Sequence, residues 1–137
     1  MSLIPLSTQA SLFPETIHLI ATNMDGTLTR RGRFTSALLQ ALEAFASAKI
    51  PVIIITGRSA GWVQGLKSYL PVTGAIAENG GVFFATDIVF DSSQFPYSVG
   101  VANVLHYTSQ LRYLPTYVTS AGEGEGFNEL AQLLLSK

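Results

Sequence analysis

The sequence has 137 residues, of which 47% are hydrophobic and 12% are charged, whereas a typical soluble domain carries about 25% charged residues. This length is enough for one hydrophobic core but not for a second domain. We therefore expect a single globular domain over residues 1–137 and no extensive disorder. The net charge of −1 argues against nucleic-acid binding and against binding to an anionic membrane surface. The chain has no cysteine, which excludes disulfides and thiolate metal sites and favours a cytoplasmic location.

We expect the chain to carry no signal that would direct it to or across a membrane. The first basic residue is Arg30, so we expect no secretory signal. The longest uncharged stretch, residues 92–111, contains Pro96 and Gly100 among many hydroxyl residues, which argues against a membrane span. The low charge content leaves apolar surface that a subunit interface would cover, so the sequence is compatible with a homo-oligomer and with a monomer.

Short apolar runs predict the strands. Residues 51–56 form a continuous β-branched run, as expected of a strand buried on both faces of a parallel sheet. The turn signal Asn79-Gly80-Gly81 precedes a hairpin-like stretch. In chain order, the predicted strands cover residues 17–22, 51–56, 74–78, the hairpin-like stretch 82–90, 99–102 and 116–119.

Segments of helical periodicity lie between these runs. The first helix begins behind a capping Thr35 or Ser36 and turns Leu38, Leu42 and Phe45 inward. The other predicted helices cover residues 60–69, with Trp62, Val63 and Leu66 inward, 103–114 and 126–136. The alternation predicts an α/β fold: a three-layer, Rossmann-like, mostly parallel sheet with helices on both faces, a small β-hairpin and no second domain.

The residues that directly follow three of the strands point to a function, because ligands of open parallel sheets gather at the carboxyl ends of the strands. These segments are Asn23-Met24-Asp25-Gly26-Thr27-Leu28, Thr56-Gly57-Arg58-Ser59 and Glu78-Asn79-Gly80-Gly81. In this order and spacing, they resemble the haloacid dehalogenase superfamily of magnesium-dependent phosphotransferases. The closest resemblance is to its sugar-phosphatase-like branch, which includes sucrose-phosphate and mannosyl-phosphoglycerate phosphatases, and it covers residues 17–84.

Residues 98–103, 117–119 and 125–127 resemble the stretch that follows the last catalytic motif of this branch. In the family, the segment between these two regions supplies a cap domain, the catalytic Lys and a Gly-Asp-x-x-x-Asp metal motif. This sequence contains no Gly-Asp dipeptide. The resemblance therefore implies one core domain and no cap domain, with an N-terminal extension, residues 1–15, and an internal deletion near residues 85–91.

The resemblance implies an altered nucleophile at Asn23. In the family an Asp at this position attacks phosphorus and also binds Mg²⁺, because a carboxylate carries a full negative charge and an available lone pair. A carboxamide is a weak metal ligand and does not readily form an acyl phosphate. Loss of a covalent nucleophile costs on the order of 10⁶ in turnover in another enzyme class. The alternative is a strand-end residue that hydrogen-bonds its own turn.

The other implied site residues bind phosphate or transfer protons. Asp25 is implied as the general acid/base and as a family metal position, and its alternative is a solvated turn residue. Thr56 would bind phosphate oxygens together with N–H groups at the next helix start, and its alternative is an ordinary β-branched strand residue. The remaining implied substrate-binding residues are Met24, Gly26, Thr27, Gly57, Arg58, Asn79 and Gly80, although Asn-Gly is also a plain turn signal.

Two acidic pairs and one basic cluster have competing interpretations. Asp87 and Asp91, four residues apart, are candidate Mg²⁺ ligands or a solvated strand face. Glu123 and Glu125 fit the start of a helix, with Ser120-Ala-Gly-Glu123 as a capping box. The basic cluster Arg30, Arg31 and Arg33 either attracts phosphate or forms a charged surface turn, and His18 and His106 are packed or surface residues.

Three functions are compatible with these residues. The first is a magnesium-dependent phosphomonoester hydrolase, of sugar-phosphate type, whose activity is lost or severely impaired at Asn23. The second is a non-catalytic module that binds inorganic phosphate or a phosphorylated small molecule. The third is a truncated remnant that persists as an oligomer through an exposed sheet edge.

Overall fold

The computed structural model describes residues 3–8, 11, 13, 16–78, 82–84, 97–110 and 114–137. Its strands are β1 (Ile4–Pro5), β2 (Ile20–Asn23), β3 (Val52–Ile55), β4 (Gly74–Ala77), β5 (Val82–Phe84), β6 (Val99–Gly100) and β7 (Tyr117–Val118). Its α-helices are α1 (Ser36–Ser47), α2 (Ala60–Tyr69) and α3 (Glu123–Leu135), and two 3-10 helices cover Leu6–Thr8 and Ala102–Tyr107. Within these residues, no helix is both long and apolar enough to cross a membrane.

Four strands form one sheet in the order β2-β3-β4-β5. β2, β3 and β4 run parallel, and β5 pairs antiparallel with β4. β3 lies inside the sheet because Val52, Ile53 and Ile54 are β-branched and buried, as a strand covered on both faces requires. The predicted α/β fold with a mostly parallel sheet is confirmed.

The other three strands form a second parallel sheet in the order β1-β7-β6. We predicted one continuous sheet, whereas the structure divides it between β2 and β6, which both lie at a sheet edge. A cavity of about 920 Å³ lies between these strands and extends to Phe127, Leu130 and Leu134 of α3. β6 and β7 pair over only two residues each, so few backbone hydrogen bonds fix the second sheet.

Helix α1 forms as the sequence predicts. The Thr35 hydroxyl accepts a hydrogen bond from the Leu38 N–H at 3.1 Å, so Thr35 is the N-cap. Leu38, Leu42 and Phe45 are fully buried. The Phe45 ring meets Phe127 of α3 edge-on, with centroids 6.2 Å apart, and this contact joins the first helix to the last.

Other predictions need correction. Helix α2 has the predicted bounds, but Trp62 is 44% exposed and not inward, because its ring lies beside the Arg58 guanidinium. The predicted helix over residues 103–114 is a 3-10 helix, Ala102–Tyr107, without a buried residue. Val104 and Tyr107 line the cavity, but no residue of this segment is buried deeply enough to stabilise an α-helix by packing. Residues 111–113 of the predicted helix lie outside the described residues.

Helix α3 begins three residues earlier than predicted, at Glu123. Its N-cap is Gly122, which has no side chain to accept a bond, so the predicted Ser120–Glu123 capping box is wrong. Strand β5 confirms the start of the hairpin-like stretch. The turn Asn79-Gly80-Gly81 and residues 85–90 of that stretch lie outside the described residues.

Candidate functional site

The loop that follows β2, residues 24–29, is a compact turn that we call the first loop. The Met24 carbonyl accepts N–H bonds from Thr27, Leu28 and Thr29 at 2.8–3.3 Å. Gly26 adopts a φ of +74°, a backbone conformation that glycine adopts without steric cost. The side chains of Met24 and Leu28 are buried in the core and anchor the loop by packing. Asn23 and Asp25 remain exposed.

Arg58 connects this loop to the end of β3. Its guanidinium donates Nε–H to Asp25 Oδ2 at 3.0 Å and Nη2–H to Asp25 Oδ1 at 2.9 Å. The same guanidinium lies 5.2 Å from the centroid of the Trp62 ring, within cation–π range. The bidentate bond and the ring together restrict Arg58 to one orientation beside the loop.

The electrostatics of the site follow from this pair. The hydrogen bonds from Arg58 lower the pKa of Asp25 below its ordinary value of 3.8, and they outweigh the opposing effect of partial burial. The same contact raises the pKa of Arg58. Asp25 is therefore ionised and acts as an acceptor near neutral pH, which is the base form of a general acid/base. The predicted role of Asp25 as general acid/base stays a prediction.

Thr56 and Glu78 tie together the ends of β3 and β4. Thr56 is buried, and its hydroxyl oxygen accepts the Arg58 N–H at 3.2 Å. The Glu78 N–H donates to the Arg58 carbonyl at 3.0 Å, and the Glu78 carboxylate accepts the Ala60 N–H at the start of α2. Three strand ends thus converge around Arg58, and the exposed Gly57 lies at their surface.

Asn23 ends β2 opposite Ile55 of β3 in the parallel register. Asn23, Asp25, Gly26 and Thr27 also line the end of the cavity that lies between the two sheets. Of the predicted site residues in the first loop, Asp25 both contacts Arg58 and lines this cavity. Met24 was predicted to bind substrate, but its side chain is buried in the core and does not line the cavity.

A family model described as haloacid dehalogenase-like hydrolase matches residues 20–123 of the chain. That span is more than half of the sequence, and it runs from the first residue of β2 to the first residue of α3.

The chain belongs to the haloacid dehalogenase-like hydrolases.

Solved structures of phosphatases share the fold of this hydrolase. The cobalt-bound deoxy-D-mannose-octulosonate 8-phosphate phosphatase of Haemophilus influenzae is 16% identical with a TM-score of 0.60, over 90% of this chain and 91% of its own. The 3-deoxy-D-manno-octulosonate 8-phosphate phosphatase of Yersinia pestis is 19% identical with a TM-score of 0.57, over 88% and 81%. A Bacteroides thetaiotaomicron phosphatase of this superfamily is 22% identical, with a TM-score of 0.45, over 59% of this chain and 33% of its own. No curated protein sequence matches the chain.

Two contacts join the turn after the first loop of this haloacid dehalogenase-like hydrolase to the start of α3: one ion pair, and one bond from a backbone N–H to a carboxylate. Arg30 Nε lies 3.0 Å from Glu125 Oε1 in an exposed ion pair, and the Arg31 N–H approaches Glu123 Oε2 at 3.4 Å. These contacts agree with the alternative of a charged surface turn. Arg33, His18 and His106 are exposed.

The donor set of the described residues does not suit Mg²⁺. Nowhere in the described part of the chain do three His, Cys, Asp or Glu side chains form a group that could hold a metal. The first loop offers one carboxylate, Asp25, with both oxygens bonded to Arg58, and one carboxamide, Asn23, whereas Mg²⁺ prefers carboxylate and phosphate oxygens. The candidate ligands Asp87 and Asp91 and the candidate substrate contacts Asn79 and Gly80 lie outside the described residues.

Two residues that hold the site together were not predicted as site residues, although both lie in segments that carry the family resemblance, residues 78–81 and 98–103. Glu78 bonds to the start of α2, and its position directly after β4 was the available signal. Asn103 bonds to Gly26 in the first loop, 77 residues away. A contact between residues so far apart in the sequence cannot be predicted from a local sequence pattern.

Proposed function

We propose that this haloacid dehalogenase-like hydrolase binds phosphate, as the inorganic ion or on a small molecule, at the carboxyl ends of β2 and β3. The bidentate Arg58–Asp25 contact carries the proposal, because it holds a guanidinium beside the first loop. A guanidinium fork matches phosphate oxygens as well as it matches a carboxylate. A phosphate dianion would compete with Asp25 for Arg58, and the Thr56 hydroxyl would donate to it from the neighbouring strand end.

We further propose that turnover is lost or severely impaired. The family resemblance puts the nucleophile at position 23, where this chain has Asn. The carboxamide lacks the charge that attack on phosphorus and metal binding both use. Asp25 lies in the same loop as Asn23, but its carboxylate is bonded to Arg58, so it is poorly placed to take over the attack. Since the described donor set does not suit Mg²⁺, we derive no step through the metal and expect its binding to be weak.

We extend the proposal to sugar phosphates as the ligand class. The motif resemblance to the sugar-phosphatase-like branch supports this step, and it rests on the three strand-end segments that include Asp25, Thr56 and Glu78. A polyol phosphate would place its phosphoryl group at Arg58 and its hydroxyls toward the polar end of the cavity, at Asn23 and Thr27.

Two measurements separate binding from turnover. Calorimetric titration with inorganic phosphate, then with a hexose 6-phosphate, should show saturable binding to the unmodified chain. Arg58→Gln should weaken it about 10- to 100-fold, since hydrogen bonds to charged groups contribute about 1.5–3 kcal/mol. Arg33→Gln removes the same charge from an exposed arginine of the surface turn and should leave the affinity unchanged. A flat titration of the unmodified chain, or equal losses in both variants, would contradict the binding site.

Turnover is measured as phosphate release from p-nitrophenyl phosphate with Mg²⁺. We expect none above background from the unmodified chain, and at most a trace from Asn23→Asp. A conservative Asn23→Gln variant, which keeps the carboxamide, should match the unmodified chain. Substantial Mg²⁺-dependent release by the unmodified chain would overturn the proposed loss of activity and leave the binding site standing.

A further inference from the structure

Asn103 forms a bridge between two segments that are distant in sequence. Its Nδ2–H donates to the Gly26 carbonyl at 3.1 Å. Its Oδ1 accepts the N–H of Glu123, the first residue of α3, at 2.9 Å. One half-buried carboxamide therefore connects the first loop to the last helix.

We propose that Asn103 is a positioning residue that holds the first loop in its phosphate-binding shape, an inference that rests on the proposed function. The bond acts on the carbonyl of Gly26, directly after Asp25, at the residue with a φ of +74°. Rotation of the Gly26–Thr27 peptide would turn the Thr27 N–H away from the Met24 carbonyl, to which it bonds at 3.1 Å, and would loosen the turn that carries Asp25. The Asn103 bond opposes that rotation at the tip of the loop.

Contacts of α3 anchor the opposite end of the loop. The Gly124 N–H donates to the Thr29 carbonyl at 3.1 Å, and Arg30 pairs with Glu125. Neither contact involves the backbone next to Asp25. Asn103 lies in the 3-10 helix that follows β6. Its two bonds hold the backbone next to Asp25 to the start of α3.

The residue type matches this position. Only a short side chain with one donor and one acceptor makes both bonds: Asp lacks the donor, and Gln is one methylene longer. Since the two bonds come from different atoms, substitution separates them. Asn103→Asp keeps an acceptor for the Glu123 N–H, now as a carboxylate at a helix N-terminus, where negative charge is favourable. It loses the donor to Gly26 and sets a negative oxygen against that carbonyl.

This separation distinguishes a positioning role from a structural one. For Asn103→Asp we expect inorganic phosphate to bind about tenfold more weakly in calorimetric titration, while the melting temperature stays close to that of the unmodified chain. Asn103→Ala, which loses both bonds, should lower affinity and melting temperature together. If Asn103 only capped α3, Asn103→Asp would keep full affinity.

Glu129→Gln is the matched control. The Glu129 carboxylate accepts the N–H groups of Ser120 and Ala121, on the same turn before α3, and has no bond to the first loop. We expect a lower melting temperature and unchanged phosphate affinity. A loss of affinity equal to that of Asn103→Asp would mean that general loosening of the turn, and not the Gly26 bond, sets the binding, and would overturn the inference.

Amide hydrogen exchange separates failure of this inference from failure of the proposed function. The N–H groups of Thr27 and Leu28 both bond to the Met24 carbonyl, so their exchange reports the loop shape without any ligand. In Asn103→Asp we expect faster exchange at these two amides, and in Glu129→Gln no change. If the unmodified chain binds no phosphate, the proposed function fails. Unchanged exchange in Asn103→Asp would overturn the positioning role, whichever way the phosphate titration turns out.

Discussion

The Arg58 side chain shows how one residue organises the site. It bonds Asp25 through its guanidinium, receives the N–H of Glu78 on its carbonyl, and lies beside the Trp62 ring. About half of the Arg58 and Asp25 side chains is exposed, at 52% and 47%, so the pair adds little to stability because water screens it. Its main effect is to orient the guanidinium beside the first loop.

The Asp25–Arg58 contact makes a small, pH-dependent contribution to stability. Because the pKa of Asp25 is lowered from 3.8 in the folded chain, the contribution is fully present above pH 3.8 and is lost as pH falls through the folded pKa. Urea unfolding of the unmodified chain and of Arg58→Gln should differ at pH 7, and the difference should shrink at the acid end to what the contact with the Trp62 ring contributes. Arg33→Gln should show no such trend. A gap for Arg58→Gln that widens as pH falls would contradict this assignment.

At the scale of elements, helix α3 approaches the first loop without room for a side chain. A Cβ placed on Gly124 would lie 2.5 Å from the Leu28 carbonyl oxygen, a backbone atom that cannot move without shifting the loop. This close approach explains why the first turn of α3 has glycine at position 124, although helical periodicity alone predicts the start of the helix at Gly126. The glycines that weaken the local helix signal are required by the tertiary contact.

Gly124→Ala should therefore destabilise the chain by about 1–3 kcal/mol, as overpacking does. Gly65→Ala on α2 is the matched control: no atom lies within 4 Å of a Cβ at Gly65, so we expect a gain of about 0.5–1 kcal/mol from helix propensity. Urea unfolding monitored by circular dichroism measures both. Opposite signs support the close approach, and a neutral Gly124→Ala variant would show that the loop yields.

The sequence predicted those elements that local patterns determine and missed those that depend on contacts with other parts of the chain. β3 was predictable because its β-branched run is typical of a buried strand. α1 was predictable because Thr35 marks its start and its apolar residues recur at helical spacing. At the site, Asp25, Thr56 and Arg58 were predictable as a group because parallel strands end at one edge of a sheet. The exposure of Trp62 and the bond from Asn103 were not, because each depends on a partner distant in sequence or on the paired Arg58.

At the scale of the whole molecule, one core spans both sheets. Leu6 near the N-terminus, Phe45 of α1, Ile54 of β3, Tyr117 of β7 and Phe127 of α3 all belong to the same cluster of buried side chains. The two sheets are separate in their backbone hydrogen bonds but share this apolar core. The division of the sheet therefore need not divide the molecule into two folding units.

A shared core implies that the chain unfolds as one cooperative unit. Phe127 is 2% exposed, and Phe127→Ala should lower the unfolding free energy by about 3–5 kcal/mol. Trp62, the single tryptophan, lies on α2 beside the four-stranded sheet and provides a distant fluorescence probe. In urea, the Trp62 transition and the far-ultraviolet circular dichroism transition should coincide and move together in Phe127→Ala. If Trp62 keeps its original midpoint while the dichroism transition shifts or splits, the two sheets unfold independently, and α3 does not stabilise the half of the molecule that carries Arg58.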